Sequence, residues 1–282
     1  MSTNPTVRPC CEAIDAGTAA FYRDVLRTLH DDGAPFLVGG AYALFACTGV
    51  QRGTKDLDLF IRREDYDRVA AALERAGHEC ELTYPHWLAK VRDNGELIDL
   101  IFNSGNGVAA VDDLWFSQGI DAEMLGVPVK LPPVEEMIWS KAFIMERERY
   151  DGADVAHLLL AAADRIDWMR LLHRFGPHWR VLLSHLVLFG FIFPPERERV
   201  PEWVMLHLMD RLRVDLRAPT PSRRVCGGTL LSREQYLPDV EHGGWLDARL
   251  EPPARMTEDD VAEWTDAIPE ERRPGAGTIV KP

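Results

Sequence analysis

No apolar run in this 282-residue chain is long enough to cross a bilayer. The longest, Val181 to Phe193, is broken by Ser184 and His185 and falls short of the roughly 20 residues a spanning helix needs. The amino terminus, MSTNPTVRPCCEAIDAG, lacks the charged start and apolar core of a secretory signal, so a cytoplasmic protein with no membrane partner is expected. Cysteine is sparse and irregular. Cys10, Cys11, Cys47, Cys80 and Cys226 are odd in number and lack metal-ligand spacing, which argues against a disulfide framework or zinc ribbon and predicts free thiols. His173, His178 and His185 are not spaced i and i+4, so they read as core or surface histidines rather than ligands. There is no Walker loop, no Gly-x-Ser-x-Gly elbow and no His-x-Glu with Pro-Cys-x-x-Cys. Positive charge is also short. Lys and Arg number 32 against 45 Asp and Glu, a net charge of -13 that disfavours general adhesion to nucleic acid or anionic membrane. A specific acidic ligand, carried with a cation, stays compatible with it.

What is present is ordinary globular composition, 46% apolar with 19 prolines and 21 glycines, consistent with one sizeable domain and a smaller one. Ile14 to His30 has helical apolar spacing and is stopped by Asp31, Asp32 and Gly33. Pro35 to Val38 reads as a strand, followed at once by Gly39-Gly40 and a short helix from Ala41 to Cys47. A second strand is expected over Asp56 to Ile61, and a helix over Glu64 to Ala76 closed by Gly77. Asp93-Asn94-Gly95 between two strand-like runs, His86 to Arg92 and Glu96 to Phe102, is a strong hairpin signal and puts Asp99 on its second strand. Glu123 to Leu131 reads as one further strand. Pro132-Pro133 with Glu135 and Glu136 opens a helix expected to reach about Arg149. From Asp154 to about Arg213 the pattern is helical, with Trp168, Trp179 and Trp203 as core or interface residues. Arg211 to Arg224, rich in arginine and holding Pro219 and Pro221, reads as a linker with solvated charges, the alternative being contact with an RNA acceptor. Thr257 with Asp260 starts a last helix, and from Pro269 a polar tail is expected to be disordered.

The residues that suggest chemistry begin at Arg52-Gly-Thr-Lys-Asp56-Leu-Asp58-Leu-Phe60. On a strand, residues i and i+2 project from one face with Cα atoms roughly 6.6 Å apart. Asp56 and Asp58 can therefore converge on one hard cation such as Mg²⁺ while Leu57 and Leu59 enter the core. The bland alternative is an exposed acidic edge. Asp99 interrupts Leu97-Ile98-Asp99-Leu100-Ile101-Phe102, a run otherwise apolar on both faces, where an ionised carboxylate needs a metal, an arginine or backbone N–H groups to compensate it. Gly39 and Gly40 stand between a strand and a helix amino terminus, where backbone can approach phosphate oxygens, although many turns need glycine for conformation alone. Lys141 falls at the centre of a helical face with Val134, Met137, Ile138, Ile144 and Met145. It either contacts a triphosphate or snorkels to solvent.

Leu37-Val-Gly-Gly-Ala-Tyr-Ala-Leu, Arg52-Gly-Thr-Lys-Asp-Leu-Asp-Leu and Leu97-Ile-Asp-Leu-Ile together resemble the nucleotidyltransferase fold of the polymerase beta-like superfamily. Within it they are similar to the minimal bacterial branch related to AbiEii-type toxins and aminoglycoside nucleotidyltransferases. The resemblance covers about residues 30 to 165. It implies an α/β (α+β) mixed sheet flanked by helices, with Asp56 and Asp58 holding Mg²⁺ (or Mn²⁺) on a nucleoside triphosphate. It implies further that Gly39 and Gly40 cradle the phosphates and that Asp99 binds a second metal or acts as base toward an acceptor hydroxyl. Many relatives have Gly-Ser where this chain has Gly39-Gly40, so Thr54 is the substitute for the serine contact. Arg147 to Asp154 resembles the charged helix junction of the AbiEii-like branch, although Asp151 or Asp154 also suits a helix cap. The implied reaction is attack of the hydroxyl on the α-phosphorus with release of pyrophosphate. The implied acceptor is a small molecule, a protein or a tRNA end, with an antitoxin as a further partner. The alternative is a non-catalytic nucleotide-binding or toxin/antitoxin partner protein on the same scaffold. The expected organisation is a catalytic domain over 1–165, a helical region over 166–215 and a small extension over 216–282.

Overall fold

A computed structural model describes residues 6–7, 14–54, 56–93, 95–254 and 256–273. Lys55 of the acidic motif, Asn94 of the hairpin turn, Cys10, Cys11 and residues 274–282 of the expected tail therefore lie outside the described residues. The chain forms two units, Met1–Gly105 with Ala109–Val134, and Asn106–Val108 with Glu135–Pro282.

In the first unit the elements are β1 (Thr6–Val7), α1 (Ala16–Asp32), β2 (Leu37–Val38), α2 (Gly40–Thr48), β3 (Leu57–Phe60) and α3 (Tyr66–Arg75). They continue with β4 (Glu79–Tyr84), β5 (Leu88–Asp93), β6 (Glu96–Ile101), α4 (Asp113–Ser117), β7 (Ile120–Met124) and β8 (Val127–Leu131). Asp15 starts α1 by accepting from the Gly17 and Thr18 N–H groups, and Gly33 ends it in the left-handed region, as the Asp-Asp-Gly stop predicts. Five strands form a mixed sheet in the order β2-β3-β6-β5-β4, with β3 and β6 parallel and the other pairs antiparallel. Leu57, Leu59, Ile98, Leu100, Ala89 and Val91 are all fully buried, and α1 and α3 pack together on the sheet. The alternate positions, including Asp58, Lys90 and Asp99, occupy the other face by the two-residue strand period.

Glu79–Tyr84, unassigned in the sequence, is edge strand β4, paired only with β5. Glu123 to Leu131 is not one strand but most of a hairpin, β7 and β8, which turns at Leu125 (φ 52°) and Gly126 (φ 79°) and carries β1 on its outer edge.

The second unit contains α5 (Val134–Ala142, its first residue ending the first unit), α6 (Gly152–Ala162), α7 (Trp168–Phe175), α8 (Trp179–Ile192) and α9 (Glu202–Asp215). A short parallel pair, β9 (Val225–Cys226) and β10 (Leu246–Asp247), follows with α10 (Leu237–Glu241) and α11 (Glu258–Asp266). The helix expected to reach Arg149 stops at Ala142; Met145 and Tyr150 then bridge across a turn, so Ile144 and Met145 do not share a helical face with Lys141. Glu135 and Glu136 stand in the first turn of α5 as expected, and both are buried. Glu135 pairs with Arg170, and Glu136 accepts from Arg174 Nε at 2.9 Å. Burial pushes the Glu136 carboxyl above its ordinary range. Trp168 and Trp179 are buried and Trp203 is exposed. Of the expected linker arginines, Arg223 pairs bidentately with Glu251 and Arg224 lies over the Trp245 ring. Thr257 and Asp260 form the expected capping box, while the start of the expected tail, Glu270–Arg272, is a 3-10 turn. No helix among the described residues is long and apolar enough to cross a membrane.

Candidate active site

Strand β3 delivers Asp58 to the bend between β2 and α2; Asp56, expected on the same strand, lies just before its first residue. The Gly39 N–H donates to the Asp58 carbonyl at 2.8 Å, tying that bend to the strand. At Gly40, φ is +54°, and a Cβ would overlap the Asp58 carboxylate; at Gly39 it would overlap the Phe60 ring. The glycine pair is thus required by the close approach of β3, and it seats the Asp58 carboxylate at the amino terminus of α2, where the helix dipole favours negative charge. Thr54 lies beside Asp56, its hydroxyl 2.9 Å from both the Asp56 carbonyl and Oδ1, and fixes the direction of that carboxylate.

Asp99 stands directly beside Asp58, its register partner across the parallel β3–β6 pair. Its compensation comes from the other neighbour. Lys90 on β5 is the register partner of Asp99, and its Nζ donates to Asp99 Oδ1 at 2.9 Å. Burial raises the proton affinity of Asp99; Lys90 opposes that and the charge of Asp56 adds to it. Sequence reasoning missed Lys90, although the signal was available. A two-residue Asn-Gly loop pairs Asp93 with Glu96, and counting back three places pairs Lys90 with Asp99. Tyr22 of α1, fully buried, also belongs to this neighbourhood. Its phenol is raised above the ordinary range by burial, with further contributions from Tyr42, Glu96, Asp56 and Asp58.

Lys141 is carried by α5 in the second unit. Its Nζ donates to Asp154 Oδ2 at 2.8 Å and Asp151 Oδ2 at 3.1 Å. Asp151 precedes α6 but makes no side-chain cap, because Arg149 and Lys141 hold its carboxylate. Burial alone would raise Asp151, and these two cations outweigh it and hold the carboxyl below its ordinary value.

As donor types, Asp56 and Asp58 both offer hard carboxylate oxygens suited to a divalent cation, Asp58 held against Gly40 and Asp56 by Thr54, although Asp56 lies just before β3 and not on it. Among the described residues, no group of three or more His, Cys, Asp or Glu side chains is arranged to hold a metal ion.

The mixed sheet thus places Asp58 at a glycine bend and Asp99 beside it on β6. Residues 18–168 match the family described as "Nucleotidyl transferase of unknown function (DUF2204)". That span is more than half of the chain, and the protein belongs to this family. No curated protein matches it by sequence. Among solved structures it is similar to the antibiotic-resistance factor ANT(2'')-Ia (20% identity, 61% of this chain and 98% of that one, TM-score 0.39). It is also similar to the lincosamide antibiotic adenylyltransferase LnuA in its lincomycin-bound form (14%, 55% and 100%, TM-score 0.38). A third is an antigenic nucleotidyltransferase-like protein from Paracoccidioides brasiliensis (14%, 66% and 92%, TM-score 0.41). Likenesses this remote carry nothing about substrate.

Proposed function

We propose that this protein transfers a nucleoside monophosphate from a nucleoside triphosphate to an acceptor hydroxyl, with a divalent cation and with release of pyrophosphate. The observation that carries the reading is the meeting of Asp58 with Asp99 on one sheet face, against the glycine bend and beside Asp56. Mg²⁺ or Mn²⁺ held by Asp56 and Asp58 would neutralise triphosphate charge as the leaving group departs. The other steps belong to the chain itself. Thr54 orients Asp56, and Gly39 and Gly40 let the Phe60 ring and the Asp58 carboxylate pack against the bend, which puts Asp58 at the amino terminus of α2, where the helix dipole also favours phosphate oxygens. Because Gly39 gives its N–H to the Asp58 carbonyl, that donor is not offered to phosphates, and its missing side chain makes room for the Phe60 ring. Lys90 occupies Asp99 Oδ1, leaving Oδ2 to take the proton of the attacking hydroxyl as the new oxygen–phosphorus bond forms. Lys141, the expected triphosphate contact, is given the role of balancing two buried aspartates.

A non-catalytic nucleotide-binding protein is the second reading, favoured by the engagement of Asp99 with Lys90. The two are separated by incubating the protein with α-labelled nucleoside triphosphates, Mg²⁺ and cell extract. Transfer should depend on Asp58 and disappear in Asp58→Ala; binding without transfer supports the second reading. The labelled product also identifies the acceptor as small molecule, protein or tRNA, and a co-purifying antitoxin would be seen in the same extract.

A further inference from the structure

The sheet face bearing the carboxylates contains a row that runs across four strands: Asp58 on β3, Asp99 on β6, Lys90 on β5 and Glu81 on β4, each the register partner of the next. Glu81 is engaged by Arg92 Nε at 3.2 Å, whereas the Lys90 ammonium is directed to Asp99 Oδ1 at 2.9 Å. Both members of the Lys90–Asp99 pair are largely withdrawn from solvent, at 19% and 14% side-chain exposure. A buried carboxylate needs one compensating positive charge, and here the protein supplies it from the neighbouring strand. A dication bound to Asp99 would have to sit close to that ammonium, and the two positive charges would repel in a setting poor in water. The carboxylates also do not close into a three-ligand group among the described residues.

We infer that Lys90 takes the place of a second cation: the site accepts one divalent ion, on Asp56 and Asp58, and Asp99 is held by an ammonium instead of a metal. Lys90 is then a positioning residue. It fixes Asp99 through Oδ1 and touches neither nucleotide nor acceptor. The inference rests on the proposed role of Asp56 and Asp58 as cation ligands, and a count of bound ions separates the failure of each.

The experiment is a titration of the full-length protein with Mn²⁺ alone, free ion being followed by electron paramagnetic resonance. One ion per chain is expected in the wild type and in Lys90→Arg, and none in Asp58→Asn. Lys90→Met is expected to bind two, because Asp99 loses its internal partner, and Lys90→Met/Asp99→Asn to return to one. Two ions in the wild type, or one in a folded Lys90→Met, would overturn the inference while leaving the cation site intact. No ion in the wild type would overturn the proposed role of Asp56 and Asp58 as well. Circular dichroism reports whether Lys90→Met folds; should it not, the wild-type count alone decides.

Discussion

Asp58 and Asp99 are register partners across the parallel strands β3 and β6, so two carboxylates 41 positions apart in the chain project side by side from one sheet face. Adjacent strands lie roughly 4.8 Å apart, which forces these groups to share one electrostatic environment. Asp99→Asn keeps the shape and removes the proton acceptor, and transfer should fall about 10²–10⁴-fold with the circular dichroism spectrum unchanged. A rate within twofold of wild type would remove Asp99 from the chemistry.

Gly40→Ala tests the glycine bend. The added methyl overlaps the Asp58 carboxylate, and an L residue is strained at a φ of +54°. A loss of about 1–3 kcal/mol in urea unfolding is expected from backbone strain alone, together with loss of transfer because Asp58 is displaced. Full activity in Gly40→Ala would show that the seating of Asp58 against α2 is immaterial.

Lys141→Met leaves Asp151 and Asp154 without their shared ammonium in a buried site. Removing one partner from such a cluster costs about 3–5 kcal/mol, measurable by chemical denaturation. Lys141→Met/Asp154→Asn should recover part of that loss. A Lys141 variant of unchanged stability with a raised KM for nucleotide would instead place this side chain on the triphosphate.

His185 and His178 give the second unit a pH dependence of definite sign. Burial lowers both below the ordinary histidine value, and the bond from His185 Nε2 to the Ala142 carbonyl at 2.8 Å only partly offsets this. The native state then binds fewer protons than the unfolded chain once the pH falls below about 6.5. Stability is therefore present above that pH and lost as the solution is acidified toward 5, with a slope of at most about 1.4 kcal/mol per pH unit for each proton. Thermal melts across this range should flatten in His178→Gln/His185→Gln. An unchanged slope would assign the acid sensitivity to other groups.

Much of the first unit was legible because its signals are local. The helix stop at Gly33, the strand–glycine–helix passage at Leu37 to Thr48 and the hairpin around Gly95 all follow from short-range residue preferences. What was missed depends on partners remote in sequence or on signals weak in themselves. The segment Glu-Cys-Glu-Leu-Thr-Tyr, an edge strand exposed along much of its length, has little apolar alternation to announce it. The β7–β8 turn puts Leu125, not asparagine or aspartate, in the left-handed region, so the hairpin reads as one strand. Helix α5 ends at Ala142 without a glycine or proline there, while Glu135 and Glu136 find arginines more than 30 positions away. The Asp-x-Asp pair and Asp99 could be selected as candidates from sequence, but the neutralising lysine required the register of β5 on β6.

Nucleotidyl transfer breaks the bond between the α-phosphorus and the bridging oxygen to the β-phosphate, and two labels show whether it does. The protein is supplied with Mg²⁺, cell extract and nucleoside triphosphate labelled at either the α- or the γ-phosphorus, and acceptor and released products are separated. The α-label is expected on the acceptor and the γ-label only in pyrophosphate, both signals vanishing in Asp58→Ala. Label from the γ-position on the acceptor, or transfer that survives Asp58→Ala, would contradict that expectation.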